Sequence, residues 1–244
     1  MEEKIRGVQW VIPLVVLLSL SCSVLPFGNV EPTRPAPEPT STPMPTQPSP
    51  PPTRPPVQQG GGDILFRDDF EDPNSGWEIG DYDAGSVGYV DGYYFVRSVE
   101  RGKTMWGAAL QNFTDVVIDV DAIQVLAPPN DNNDYGVVCR LQPNGDGYYL
   151  VISGDGYYAI YRAVEGEFEP LVDFAPSDVI RQGNATNLLR VICRGTYLAL
   201  LVNGELVAKT DDATFAEGDV GLTATTYEDE PTGVCFDNLV VRAP

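Results

Sequence analysis

Three tyrosine doublets, Tyr93-Tyr94, Tyr148-Tyr149 and Tyr157-Tyr158, together with Trp77 and Trp106, offer the flat rings on which the apolar faces of a polyhydroxylated ligand can stack. In a strand adjacent side chains point to opposite faces, so each doublet sends one ring inward and one outward. Trp77 follows the turn residues Pro73-Asn74-Ser75-Gly76 and is expected as a core plug, whereas Trp106 is expected as an exposed platform. Carboxylates are the other reactive group. Asp115, Asp119 and Asp121 fall on one face of a strand, with Val116, Ile118 and Val120 on the other. The expected role of that acidic face is solvation of a half-buried strand, and a hydrolytic pair is the alternative. The run Asn130-Asp131-Asn132-Asn133-Asp134 gathers oxygen donors in one loop, which makes Asp131 and Asp134 candidate ligands of a structural calcium ion. The same residues are also ordinary loop formers, and EF-hand spacing is absent. A second acidic group would arise if the first and last strands pair, bringing Asp69 or Asp72 near Asp237. No other cofactor is expected.

Composition removes several classes of chemistry. The chain has no histidine, which excludes Ser-His-Asp and Cys-His catalysis and the usual His-containing zinc sites. Four acidic and four basic side chains precede residue 63, so the whole formal charge of −20 falls on residues 63–244. A field of that sign repels polyanions, and nucleic acid is not an expected partner. Three cysteines lie in this part, Cys139, Cys193 and Cys235, none in a CxxC pair. Outside the reducing cytosol two of them should bridge. Cys139 and Cys193 are the expected pair, both mid-strand by pattern. Cys235 occupies an apolar slot of the terminal strand and is expected buried and free.

The elements that must position these groups are strands. No helical stripe of useful length appears between residues 63 and 244; short β-rich runs are punctuated by turn dipeptides instead. Asp91-Gly92 separates SVGYV from YYFVRSV, and Asn203-Gly204 separates TYLALLV from ELVAKT, both type I′ hairpin signals. Gly154-Asp155-Gly156 marks a third hairpin, between YYLVIS and YYAIYRAV, and a turn follows at Glu165-Gly166. Further strands are ILFRDDF, KTMWGAAL, DVVIDVDAIQVL, DYGVVCRLQ, NLLRVICRG, DVGLTATT and VCFDNLVV, with a short helix or turn near Ser177–Ile180. About a dozen strands in some 180 residues predict one all-β domain, a two-sheet antiparallel β-sandwich. The strands DYGVVCRLQ, GYYLVIS and GYYAIYRAV follow one another through short turns and should be neighbours. With Tyr149 and Tyr158 taken as the outward rings, and Arg140 and Arg162 as their polar neighbours, these four side chains are expected to form one ligand-binding patch; if those rings are core, the loop rim around Asp131 and Trp106 is the alternative site.

The segments LFRDDFEDPNSGW, YGVVCRLQPNGDGYYLVISGDGYYAIYR, NLLRVICRGTYLALLVNGELVA, GDVGL and FDNLVV together resemble the concanavalin A-like jelly rolls. Within that group they are similar to the LamG and 3-keto-disaccharide hydrolase-like domains, often found on bacterial envelope lipoproteins behind Pro/Thr stalks. The resemblance covers essentially all of residues 63–244, and its segments VNGEL and FDNLVV are common to lectins, enzymes and inert scaffolds alike, so it implies the fold and does not decide the function. Laminarinase-type enzymes of this fold carry a strand motif ExDxxE, in which alternation brings acid and nucleophile to the separation a retaining mechanism needs. The nearest run here, Asp115–Asp121, has no Glu in either catalytic place, and no family catalytic residue maps onto a matching motif. The expectation is therefore a non-catalytic module for carbohydrate or another cell-surface polymer. A glycoside hydrolase-like enzyme with carboxylates on the concave sheet is the first alternative, and a protein-interaction or scaffold domain the second.

The N-terminus predicts where such a module works. Residues 1–21 have a charged start and a 13-residue apolar run, Val8 to Leu20, the length of a signal-peptide core and short of the ~20 residues a spanning helix needs. Leu18-Ser19-Leu20-Ser21 before Cys22 resembles a bacterial lipobox, with Ser19 in the place Leu usually holds, so Cys22 is the expected lipidation site. Plain secretion after a small-x-small cleavage, or an uncleaved anchor running to Phe27, are the alternatives. All three place the domain outside the cytoplasm, in the cell envelope if anchored. Residues 22–62 form a Pro/Thr-rich linker expected to be disordered. Its stretch 31–56 holds 12 prolines and could extend on the order of 80 Å as a polyproline II spacer before the Gly60-Gly61-Gly62 joint.

Overall fold

Turn chemistry sets the strand boundaries. Asp91 and Gly92 take φ of 51° and 80°, Glu165 and Gly166 55° and 80°, and Asn203 and Gly204 52° and 95°, the left-handed pairs that match a tight turn to strand twist. The computed structural model describes residues 62–244. The expected signal peptide (1–21), the lipidation site Cys22 and all but the last residue of the linker lie outside the described residues.

Fifteen strands and no helix occur among the described residues. In chain order they are β1 (Ile64–Asp68), β2 (Gly80–Tyr82), β3 (Gly85–Val90), β4 (Tyr93–Ser98), β5 (Thr104–Ala108), β6 (Val116–Leu126), β7 (Asn133–Leu141) and β8 (Gly147–Ile152). There follow β9 (Tyr157–Val164), β10 (Glu167–Pro176), β11 (Asn187–Arg194), β12 (Tyr197–Val202), β13 (Glu205–Asp211), β14 (Asp219–Thr226) and β15 (Thr232–Arg242). Nine form one antiparallel sheet in the order β13-β12-β11-β6-β15-β4-β3-β2, with β1 added on β15; six form the other in the order β10-β9-β8-β7-β14-β5. The predicted neighbours β7, β8 and β9 are adjacent. The segment near Ser177 is a turn closed by Ile180 N–H to the Ser177 carbonyl, not a helix.

The core lies between the sheets. Val116, Ile118 and Val120 of β6 and Val191 of β11 meet Val137 of β7, Leu150 of β8 and Leu222 of β14, all fully buried. Burying a side chain of this size is worth about 1.5–3 kcal/mol each, so the alternation itself fixes which face of each strand looks outward. The Cys139–Cys193 disulfide forms as expected and links β7 to β11, one strand from each sheet. Cys235 is free, but it is half-buried rather than buried: Val234 and Phe236 hold the core positions and leave Cys235 on the outer side of the nine-stranded sheet. Trp77 is a core plug, packed against Phe70 and Tyr94.

A second, smaller apolar cluster covers the other face of the six-stranded sheet. Val138, Tyr149, Val151, Ala159 and Ala163 form it, with Trp106 and Tyr161 against its edge. This outer face carries the candidate site.

Candidate functional site

The site is assembled by cross-strand register. Asp134 of β7 lies opposite Thr225 of β14, and Thr225 opposite Thr104 of β5, so three polar side chains cross the outer face in a row. Thr104 and Thr225 hydroxyls are 3.0 Å apart. Tyr227, one residue beyond β14, donates its hydroxyl to Asp134 Oδ2 at 2.6 Å. Burial pushes the Asp134 carboxyl up from 3.8 to about 6 against the opposing pull of hydrogen bonds from Tyr227 and Thr225. Burial, then the Asp134 charge, raises the Tyr227 hydroxyl strongly, and Tyr161 is a further hydrogen-bond neighbour. Burial raises Tyr161 and Tyr149 as well, with Asp134 and Asp146 adding to it for Tyr149.

Aromatic rings surround this row. Tyr149 lies opposite Tyr161 in the β8–β9 pair, and Phe168 of β10 covers both, its ring centroid 5.0 Å from Tyr149 and 6.4 Å from Tyr161. Phe174 approaches Tyr161 from the same strand at 5.7 Å. Two depressions result. The smaller, of about 160 Å³, is lined by Asp134, Thr225, Tyr149, Tyr161, Phe168 and Tyr227 among others. The larger, of about 530 Å³, adjoins it through Gly102 and Tyr227 and is lined by Tyr157, Phe174, Ser153, Asp155 and Arg101. A third, of about 820 Å³, runs along β5 past Trp106, Leu110 and Leu141, and shares Thr104 with the small one.

The expected four-residue patch is not assembled. Tyr149 does face outward, but it is 1% exposed, its hydroxyl donating to the Gly145 carbonyl at 2.7 Å. Tyr158 faces inward, opposite the core residue Ile152. The β8–β9 register pairs residues of like parity, while the doublets 148/149 and 157/158 are nine residues apart, so their second members point to opposite faces. Tyr157 and Tyr161 are the outward rings of β9. Arg140 is the extra residue of a β-bulge, at φ 53°, where the β7–β14 register shifts. Its buried guanidinium donates to the Phe215 carbonyl at 2.6 Å, the Thr114 carbonyl at 3.3 Å and Asp115 at 3.2 Å. Arg162 points inward, paired with Asp212 at 2.8 Å, with Thr214 and with Glu169. Both arginines fasten loops to the sandwich. Trp106 lies on the outer face but is half-buried rather than an exposed platform, its ring against Gly145 and the second apolar cluster.

Asp131 and Asp134 do not converge. Asp131 Oδ1 accepts from Gln124 Nε2 of the nine-stranded sheet at 2.8 Å, while Asp134 turns to Tyr227. Asn130 and Asn132 both donate to Glu228. Among the described residues no group of three or more His, Cys, Asp or Glu side chains is arranged to hold a metal ion. Asp119 and Asp121 share the outer face of the nine-stranded sheet as expected, where Asp119 takes a two-pronged contact from Arg190 at 2.6 and 3.0 Å. Asp115 is held by Arg140 and by Gly195 N–H. The β1–β15 pairing brings Asp69 near Asp237, whose carboxyl is raised by burial first and then by Asp121, Asp69 and Glu71.

No protein-family model matches the chain, and no curated protein does so. Solved structures do. A carbohydrate-binding module, CBM66, from Bacillus subtilis is 16% identical with a TM-score of 0.50, covering 69% of this chain and 96% of the module. A protein with a galectin-like fold, also from Bacillus subtilis, is 11% identical at 0.55 over 74% and 96%. A Bacillus licheniformis beta-glucanase is 12% identical at 0.55 over 77% and 100%. The domain is a concanavalin A-like, galectin-like jelly roll. At these identities the likeness is one of fold, which binding modules and hydrolases share.

Proposed function

We propose that this protein is an exported, membrane-tethered module that binds carbohydrate or another cell-surface polymer through the outer face of its six-stranded sheet. The observation carrying this is the pair of adjoining depressions in which Tyr157, Tyr161, Phe168 and Phe174 offer ring faces beside the hydroxyl and carboxylate groups of Thr225, Tyr227 and Asp134. Stacking surface next to a few hydrogen-bonding groups is what pyranose and furanose rings require. Two adjoining depressions suit successive units of a chain. The charged start, apolar run and Cys22 support tethering through a lipidated N-terminus. Immobilised glycans presented to the full chain should retain it, and Tyr157→Ala with Phe174→Ala should reduce retention at least about tenfold while cooperative melting persists; these two rings are 38% and 40% exposed. Retention unchanged in the double variant would remove the outer face from consideration.

One observation favours a glycoside hydrolase-like reading as the alternative. A carboxyl raised to about 6 is suited to proton donation near neutral pH. A paired mechanism needs a second carboxylate across the bond, and Asp134 is the one carboxylate among the described residues lining the small depression. Oligosaccharide hydrolysis abolished by Asp134→Asn would establish that reading.

A further inference from the structure

The small depression has a composition of its own. Four aromatic side chains, Tyr149, Tyr161, Phe168 and Tyr227, wall a space of about 160 Å³ at whose base lies Asp134, 3% exposed. The rings are not stacked flat. Phe168 meets Tyr149 at 64° and Tyr161 at 81°, so they stand as walls around a corner. Asp134 is held by neutral hydroxyls alone, and it makes no ion pair with a cation among the described residues. Arg101 is the one cation among the described residues lining the two adjoining depressions, and it lies toward Glu228, whose carboxyl it helps hold low.

A desolvated carboxylate without a counter-charge, under several aromatic rings, is an environment matched to a positive group. The ring quadrupoles present their negative faces to a cation, and the carboxylate supplies a full opposite charge where water screens little. An organic ammonium satisfies both at once, because its carbon substituents fill apolar volume while its charge is spread toward the rings. An anionic sugar would place its carboxylate or sulfate against Asp134, with Asp155 and Glu228 nearby.

We infer that the small depression is an ammonium-binding cage, with Asp134 as the counter-charge and Tyr149, Tyr161, Phe168 and Tyr227 as its walls. The assignment deepens the proposed carbohydrate- or polymer-binding role and rests on the outer face being the ligand face. The shared chemistry is an alkylammonium, and two sources supply it: the protonated amine of an amino sugar, or the quaternary amine of a choline substituent on a polymer.

Titration calorimetry on the full chain with choline, with its uncharged isostere 3,3-dimethylbutan-1-ol, with chitosan oligomers and with their fully N-acetylated counterparts separates these. One of the two cations should bind at least about tenfold more tightly than its uncharged counterpart, and which one identifies the source. Phe168→Ala, at a ring 42% exposed, and Asp134→Asn should each weaken that binding about tenfold. The Phe168 variant tests the cage even if the Asp134 variant does not fold. Equal binding of the charged and uncharged partners would overturn the cage, as would binding of neither cation by a protein that still retains neutral oligosaccharides. In both of those cases the outer face remains a sugar site. Failure of all probes and of the neutral glycans would remove the outer-face role itself.

Discussion

Asp134 ties the chemistry of the site to the stability of the domain. Its carboxyl holds a proton more tightly folded than unfolded, because burial raises it from 3.8 to about 6. The folded state therefore binds more protons in that interval, and stability falls as pH rises from about 4 to about 6, then levels off. The shift corresponds to about 3 kcal/mol for a group this buried. Denaturant melts of the wild type and Asp134→Asn should show their stability difference drifting by that order across the window, in the variant's favour as pH rises. A difference flat from pH 4 to pH 7 would mean the carboxyl is not raised. The site was only partly legible in the sequence. Asp134 was visible as an oxygen donor in an acidic run, but its partner Tyr227 is 93 residues away, and only the β7–β14 register joins them. A usable signal was present: with Cys139 facing in to bridge, counting back by twos puts Val137 and Tyr135 inward and Asp134 outward.

At the level of elements, apolar alternation and turn dipeptides made thirteen strands readable, and β2 and β10 escaped. β2 is three residues long and has no apolar alternation to read. β10 carries Pro170 and Pro176 among acidic residues, a composition that argues against a central strand. It is an edge strand, where missing N–H donors are tolerated, and its register shifts near Pro170. Missing β10 meant missing Phe168 and Phe174, two of the rings that shape the site. At the opposite edge, β5 is held close to β4 by the absence of a side chain. A Cβ on Gly107 would sit 1.9 Å from the Tyr94 hydroxyl, which is fully buried and donates to the Glu78 carbonyl at 2.7 Å. Gly107→Ala should destabilise the domain by about 2–3 kcal/mol in urea melts, and adding Tyr94→Phe, which removes the clashing oxygen, should recover part of it. A neutral Gly107→Ala would show that β5 is free to shift.

For the molecule as a whole, the proposed tethering rests on the N-terminal sequence and is tested at Cys22. Acylation of Cys22 should make the full chain partition into detergent, and Cys22→Ser should release it or block its processing; full-length Cys22→Ser protein still held in the membrane would indicate an uncleaved anchor. The Cys139–Cys193 bridge joins the two sheets, and such bonds are rare in the reducing cytosol of mesophiles.

The described chain begins against its own far end: Ala243 N–H donates to the Asp63 carbonyl, and β1 then runs antiparallel along β15. The proposed ligand face belongs to the other sheet. In the proposed tethered arrangement, tension between a bound polymer and residue 62 passes through the thickness of the sandwich, where the Cys139–Cys193 bond ties the layers covalently. On that path β1 comes first, and it is joined to a single neighbour, β15. Release of its five residues would add roughly 17 Å of reach at ~3.4 Å per residue between the domain and whatever holds residue 62.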